Sequence, residues 1–208
     1  ISMQTLTANG SESLDTSSQV GVLPDHLGGH LNKTHLDPGT LIFLKQKFDI
    51  KSMLDIGCGP GGMIEMAGSI GISAWGIDGD PYVERKTKNV TIQDYTKGFV
   101  ETSRLPSSSF DLAWSVEFLE HVEEKYLPLY MHSFNMCKYV VCTAAPPGWP
   151  GHHHVNCRSI DYWIGVFSAN EFDYDAETSG LVRAHSTMTK GFMSRTGMFF
   201  KKREPWYV

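Results

Sequence analysis

No stretch of the 208-residue sequence approaches 18 consecutive apolar residues, and no basic segment followed by an apolar one opens it. A membrane-spanning helix and a secretory leader are therefore not expected. Cysteines are few, at positions 58, 137, 142 and 157, and no two of them form a Cys-x-x-Cys pair. That spacing argues against a zinc knuckle and against a redox dithiol. Cys142 lies in an apolar run and reads as a buried thiol, so a reducing, cytoplasmic compartment is expected. Basic residues are in deficit: 18 Lys and Arg stand against 23 Asp and Glu, a formal net charge of −5. A broad phosphate-binding surface is not expected of such a chain, although a local basic patch is compatible with it. Heptads, internal repeats and low-complexity tracts are also missing.

What remains is an ordinary globular composition, 41% hydrophobic and 20% charged, in a chain long enough for one domain with a sizeable core. Residues 1–20 are rich in Ser, Thr, Gln and Gly without periodicity and read as a mobile tail; 21–208 read as a single domain. Asp37-Pro38 has the form of a helix start, and Leu41, Leu44 and Phe48 fall on one face of that helix. Apolar runs at Ser52 to Ile56, Ile72 to Ile77, Val90 to Ile92, Phe110 to Ser115 and Tyr139 to Thr143 predict strands. Segments 61–69, 81–88, 117–136 and 159–168 predict helices between them, with Tyr126, Leu129, Tyr130 and Phe134 as a core-facing stripe. Beyond 175, Gly180-Leu181-Val182 and the run from Gly197 to Lys201 read as two strands joined without a helix. The expected fold is a doubly wound, mostly parallel seven-stranded α/β sheet with helices on both faces and an antiparallel C-terminal hairpin.

Ligands bind such sheets at the carboxyl ends of the strands, and there the first strand runs into Gly57-Cys58-Gly59-Pro60-Gly61-Gly62. The glycines satisfy G-x-G-x-x-G, and Asp78 lies about 20 residues on, as a dinucleotide fingerprint requires. Asp55 weighs against that reading. A helix N-terminus in a dinucleotide site faces a pyrophosphate, and a buried carboxylate two residues before the first glycine would lie near two negative charges. A ligand carrying an ammonium and a sulfonium reverses the sign.

The run Leu54-Asp55-Ile56-Gly57-Cys58-Gly59-Pro60-Gly61 resembles the first motif of the class I S-adenosylmethionine-dependent methyltransferases. Ile77-Asp78, Gln93-Asp94-Tyr95 and Phe110 through Val122, with its Leu119-Glu120-His121 step, follow at intervals that suit the same family. The resemblance covers roughly residues 50–175 and implies S-adenosylmethionine as cofactor and S-adenosylhomocysteine as product. It assigns Asp55 to the methionine ammonium, Gly57 and Gly59 to close backbone approach, Asp78 to the ribose hydroxyls and Asp94 to the adenine amino group. Cys58, Gly61, Gly79, Tyr95, Ser115 and Val116 complete the implied cofactor site. Plainer readings stand beside these. Asp55 reads as a strand-end acid, Asp78 as a cap of the turn at Gly79-Asp80-Pro81, Asp94 as a loop acid, and Glu120 and His121 as capping or packing residues. Asp111 begins its strand, away from the ligand end, and reads as structural.

After the fifth strand, Thr143 through Asn156 hold three prolines, two glycines and the triplet His152-His153-His154, a shaped loop facing the methyl group. Adjacent histidines point in different directions and no acid-rich partner motif is evident, so no metal site is expected. His121, His152, His153 and His154 are the candidate general bases, with a pKa near roughly 6.5, and Glu117 stands behind them. Gly28-Gly29-His30-Leu31-Asn32-Lys33-Thr34-His35 reads either as a lid over the cofactor or as a plain surface loop. The motif of amino-methylating DNA enzymes is absent after the fourth strand, and no lysine closely follows the fifth as in cap ribose methyltransferases. The expected partner is a small-molecule, sugar or peptide-borne oxygen or nitrogen acceptor, with no membrane and nucleic acid disfavoured. A nucleic-acid methyltransferase, an inert cofactor-binding subunit and an NAD-binding Rossmann protein remain as alternatives.

Overall fold

The computed structural model describes residues 22–203, so the tail assigned to residues 1–20 lies outside the described residues. In chain order the elements are α1 (Pro38–Phe48), β1 (Ser52–Ile56), α2 (Gly62–Ser69), β2 (Ser73–Asp78), β3 (Val90–Ile92) and β4 (Phe110–Ser115). They continue with α3 (Leu127–Asn135), β5 (Cys137–Cys142), α4 (Ile160–Ala169), β6 (Phe172–Tyr174), α5 (Ala176–His185), α6 (Phe192–Thr196) and β7 (Met198–Lys202). The sheet has seven strands in the order β3-β2-β1-β4-β5-β7-β6. Pairs among β1 to β5 are parallel, and β7 runs antiparallel to both β5 and β6. Strand order reverses between β1 and β4, so the loops leaving these two strands diverge and open a crevice at their carboxyl ends.

Side-chain alternation divides the sheet between two cores. Leu54, Ala113, Val140 and Phe200 face α3 and α4, where Tyr130, Phe134, Trp163 and Phe167 cover them. Met53, Leu112, Trp114, Val141 and Phe199 face the opposite way, against Leu41 and Leu44 of α1, Met63 and Ala67 of α2 and Val182 of α5. A period of two that is apolar on both faces belongs to a sheet covered on both sides. At the far end of the strands the Asp111 carboxylate accepts from the backbone N–H groups of Lys51 and Ser52, a structural role.

Three expected elements differ. Residues 81–88 form no helix: only Val83 is buried there, and backbone N–H groups go elsewhere, Tyr82 to Asp80, Glu84 to Asn32 and Lys86 to the Pro60 carbonyl. Residues 117–136 are two short 3-10 turns at Leu119–His121 and Glu124–Tyr126 followed by α3, since Pro128 fits only the first turn of a helix. Tyr126 consequently leaves the core stripe that Tyr130 and Phe134 keep. Gly180-Leu181-Val182 lies inside α5, which Asp175 caps by accepting from the Thr178 N–H. The strand beside β7 is therefore Phe172–Tyr174, and α5 and α6 lie between the two antiparallel strands.

Asp37 ties α1 to the segment after α5. Fully buried, it accepts from Thr40 N at 3.2 Å and Thr187 N at 2.8 Å through Oδ1, and from Thr40 Oγ1 at 2.8 Å and Ser186 Oγ at 2.7 Å through Oδ2. Losing the cap and leaving these donors unpaired should cost about 3 kcal/mol. Denaturant unfolding of Asp37→Ala should show that loss without a change in slope, and a loss below about 1 kcal/mol would contradict the role given to Asp37.

Candidate cofactor and acceptor site

A cavity of about 600 Å³ opens at the carboxyl ends of the parallel strands. Its floor is the loop after β1, which the Gly57 and Cys58 N–H groups fasten to the Ile77 carbonyl at 2.9 and 3.1 Å. Gly57 has φ +78°, and a Cβ there would sit 2.7 Å from Phe118 Cδ2. Gly59 has φ +51°, and a Cβ there would sit 3.2 Å from His30 Cβ, so backbone conformation and the close packing of Phe118 and His30 both require glycine at these two positions. The Gly59 N–H donates to Asp78 Oδ2 at 2.7 Å, and the Asp80 N–H donates to Oδ1 at 2.9 Å. Asp78 thus welds the loops after β1 and β2 together while still lining the cavity.

Asp55 is 3% exposed at the end of β1 and also lines the cavity. Burial pushes its carboxyl well above the ordinary range, the Asp78 charge adds to the rise, and no hydrogen bond offsets either. The remaining residues expected at the cofactor divide. Gly79 and Val116 line the cavity, and Cys58 does so beside a thiol tucked against Gly76. Tyr95 lines it with its hydroxyl held at 2.7 Å from Ser133 Oγ. Gly61 and Ser115 do not reach it. The φ of +87° at Gly61 turns the chain into α2, and the Ser115 hydroxyl is fully buried on the Ile56 carbonyl at 2.9 Å. Asp94 lines the cavity with a carboxylate already engaged by Thr96 N at 2.9 Å, Thr96 Oγ1 at 2.8 Å and His26 Nε2 at 3.1 Å. Burial works to raise its pKa, but these hydrogen bonds outweigh burial and hold it below the ordinary value.

Residues 26–34 cross the mouth of the glycine loop. His30 Nε2 lies 3.3 Å from Asp80 Oδ2, and Thr34 Oγ1 accepts from the Gly62 N–H at 3.1 Å. The segment is thus not a plain outer loop, since Gly28, Gly29, His30 and Thr34 line the cavity. Its histidines 26 and 30 carried no spacing signal, because the groups they meet come from four different loops.

The opposite end of the cavity is built by the segments after β4 and β5. Glu117 takes φ +53°, rare for a residue with a side chain, and its N–H donates to Thr143 Oγ1 at 2.9 Å. Glu120 is fully buried; its Oε1 accepts from the Ala145 N–H at 3.1 Å, and its carbonyl accepts from the N–H groups of Val155 and Asn156. That pair of backbone bonds folds the histidine loop back onto the Leu119–His121 turn. Burial raises both the Glu117 and Glu120 carboxyls, Glu120 further because of the Glu117 charge. The His121 and His154 rings meet edge to face at 4.9 Å. His152 stands against Gly29 and His153 against His26, so the triplet does fan out, although all three line the cavity. The expected pKa near 6.5 fails for His121: burial first, then the His154 ring, lowers it to about 4. The acid partner that the histidines lack in the sequence is Glu120, brought to them only by the folded loop.

Residues 54–131 match the family model described as a methyltransferase domain. The chain is 36% identical over 103 residues to the mitochondrial ubiquinone biosynthesis O-methyltransferase of Schizosaccharomyces pombe, covering 45% of this chain and 37% of that protein. It is 27% identical over 150 residues to the 2-methyl-6-phytyl-1,4-hydroquinone methyltransferase of Synechocystis, covering 58% of this chain and 47% of that protein. It thus spans less than half the length of either curated relative. A SAM-dependent methyltransferase structure from Archaeoglobus fulgidus superposes with a TM-score of 0.51 at 20% identity, over 64% of this chain and 68% of that one, a likeness of fold. The family match over residues 54–131 and the likeness of fold agree with the resemblance to the class I S-adenosylmethionine-dependent methyltransferases. The cavity fits that cofactor: Gly57 and Gly59 line it together with Asp55, a buried carboxyl with no hydrogen-bond partner among the described residues.

Asp55 also gives the ligand-free protein a pH signature. Its folded pKa lies above the ordinary carboxylate value of about 3.9, so above that pH the folded state binds more protons than the unfolded chain and stability falls as pH rises, until the folded pKa is passed. Asp78, Glu117 and Glu120 are raised as well and contribute in the same direction. Asp55→Asn should remove the Asp55 share, giving a ligand-free protein whose stability declines less with pH. Urea unfolding at a series of pH values measures this, and an unchanged decline would contradict the environment assigned to Asp55.

Proposed function

We propose that this chain binds S-adenosylmethionine over the Gly57–Gly62 loop and transfers its methyl group to an oxygen of a small, ring-bearing acceptor. One observation carries the reading. A buried carboxyl with no hydrogen-bond partner among the described residues lines the cavity beside the glycines of the loop after β1. A cationic ligand compensates that charge, whereas the pyrophosphate of a dinucleotide adds to it. Bound there, S-adenosylmethionine supplies an electrophilic methyl group on a positive sulfur.

The chain supplies alignment, charge and exclusion of water. Asp55 faces the ammonium, and the carboxylate of Asp78 keeps acceptor capacity for the ribose hydroxyls beyond its two backbone donors. Phe118, Val122, Tyr126 and Trp149 give the cavity apolar walls against which a flat acceptor packs. The acceptor oxygen forms its bond to carbon as the sulfur–carbon bond breaks with its electrons left on sulfur, and the hydroxyl proton passes to the Glu117–His121 side of the cavity. Residues 26–34 keep bulk water out. One relative is named as an O-methyltransferase of ubiquinone biosynthesis and another as a hydroquinone methyltransferase, which supports a ring hydroxyl as acceptor. A reducing, cytoplasmic setting is part of the reading, supported by four unpaired cysteines. Among the described residues no helix is long and apolar enough to cross a membrane.

Calorimetry should show S-adenosylmethionine and S-adenosylhomocysteine binding and NAD failing to bind. Asp55→Ala should remain folded and lose about 1.5–3 kcal/mol of cofactor affinity, roughly 10–100-fold. Methyl-labelled cofactor should label a dihydroxybenzene and leave RNA unlabelled. Tight NAD binding, full affinity in Asp55→Ala or label in the RNA would each overturn the proposal.

A further inference from the structure

We propose that Glu120, His121 and His154, joined by Glu117, form a binding site for one divalent first-row transition-metal ion at the acceptor end of the cavity. The carboxylate oxygen of Glu120 and the ring nitrogens of His121 and His154 all lie within 4.8 Å of one another. Two ligands each about 2.1 Å from one ion stand roughly 3–4 Å apart, so small side-chain rotations close the set.

Two features point the same way. Glu120 is fully buried and its Oε1 accepts from the Ala145 N–H, while among the described residues Oε2 meets no N–H donor and the carboxyl is left to bond to that of Glu117. Glu117 places a second carboxyl against it, and among the described residues no lysine or arginine forms an ion pair with either. Two carboxyls in contact stay together by sharing a proton, and a divalent ion can replace that proton and answer both charges. Finally, the His154 Nδ1–H donates to the Trp149 carbonyl at 3.0 Å, which fixes the ring and leaves Nε2 with a free lone pair. Metal-bound histidines are commonly held in this manner by a carbonyl on the far nitrogen.

The donor set selects the class of metal. Mixed carboxylate and imidazole ligands without a thiolate suit Mn²⁺, Fe²⁺ or Zn²⁺, while Ca²⁺ and Mg²⁺ favour oxygen alone. Glu117, His121 and His154 also line the cavity, so the ion would face the acceptor. There it lowers the pKa of a bound hydroxyl, which relieves the need for a strong protein base. That use rests on the methyl-transfer reading above, whereas the binding itself does not.

The full-length protein, stripped with a chelator and then titrated with MnCl₂ and ZnCl₂ by calorimetry, should take up one ion per chain. His154→Ala and Glu120→Gln should each weaken uptake by about 100-fold, a step beyond the 10–100-fold typical of supporting residues. His185→Ala, on the remote α5, should bind metal like the parent, and His154→Ala should keep its melting temperature and its affinity for S-adenosylhomocysteine. No uptake by the parent, equal uptake by His154→Ala, or stoichiometric binding of MgCl₂ alone would overturn the proposal. Normal metal binding with no cofactor affinity would overturn the methyl-transfer reading instead.

Discussion

The organisation of this protein depends on one unfavourable placement: a carboxylate, Asp55, buried at the end of β1 with a like charge nearby and no hydrogen bond to offset it. Strand interiors seldom carry aspartate, and an unpaired buried charge destabilises the fold that holds it. The surrounding geometry gives that placement a use. Strand order reverses next to β1, the following loop is flattened by left-handed glycines, and the Ile77 carbonyl and the Asp78 carboxylate hold that loop in place. A cation entering this crevice meets a charge that water does not screen.

The same economy of position recurs across the cavity. Glu117 adopts a left-handed backbone, Glu120 has one oxygen that meets no N–H donor among the described residues, and the neighbouring histidines are fixed by backbone carbonyls and by each other. Left-handed residues and unpaired polar atoms also occur elsewhere, at Asp49 and Glu171 and at Tyr130 and Trp163, but the buried carboxylates away from the cavity, Asp37 for instance, are well supplied with donors. Functional sites are where such exceptions concentrate.

Much of this was legible before any coordinates. The strands at 52–56, 90–92 and 110–115 were placed by apolar runs, and the glycine loop with its preceding acid pointed to the cofactor because the strand-to-helix turn is local in sequence. What was not legible depended on partners distant along the chain. Gly180-Leu181-Val182 reads as a strand in isolation, but Asp175 and Thr178 begin a helix upstream and the core accepts Val182 from its face. Asp94 lines the cavity as its place after β3 suggests, but its bonds to Thr96 and His26 were not readable from the sequence. Glu120 joins the histidines only because its own carbonyl captures the Val155 and Asn156 N–H groups. No spacing rule anticipates that contact. It also turns His121 from a base with an ordinary pKa into a ring neutral at any moderate pH.

The central claim is that the ligand's positive charge meets Asp55. Proton release on binding tests it most directly, by calorimetry of S-adenosylmethionine in buffers of different ionisation enthalpy, at a pH just above the ordinary carboxylate range, about 5. Asp55 is held protonated beyond that range in the free protein, so the incoming ammonium should drive it to ionise. The account predicts net proton release by the native protein that is smaller in Asp55→Asn by the Asp55 contribution. Equal proton release from the two proteins, with equal affinity, would contradict it.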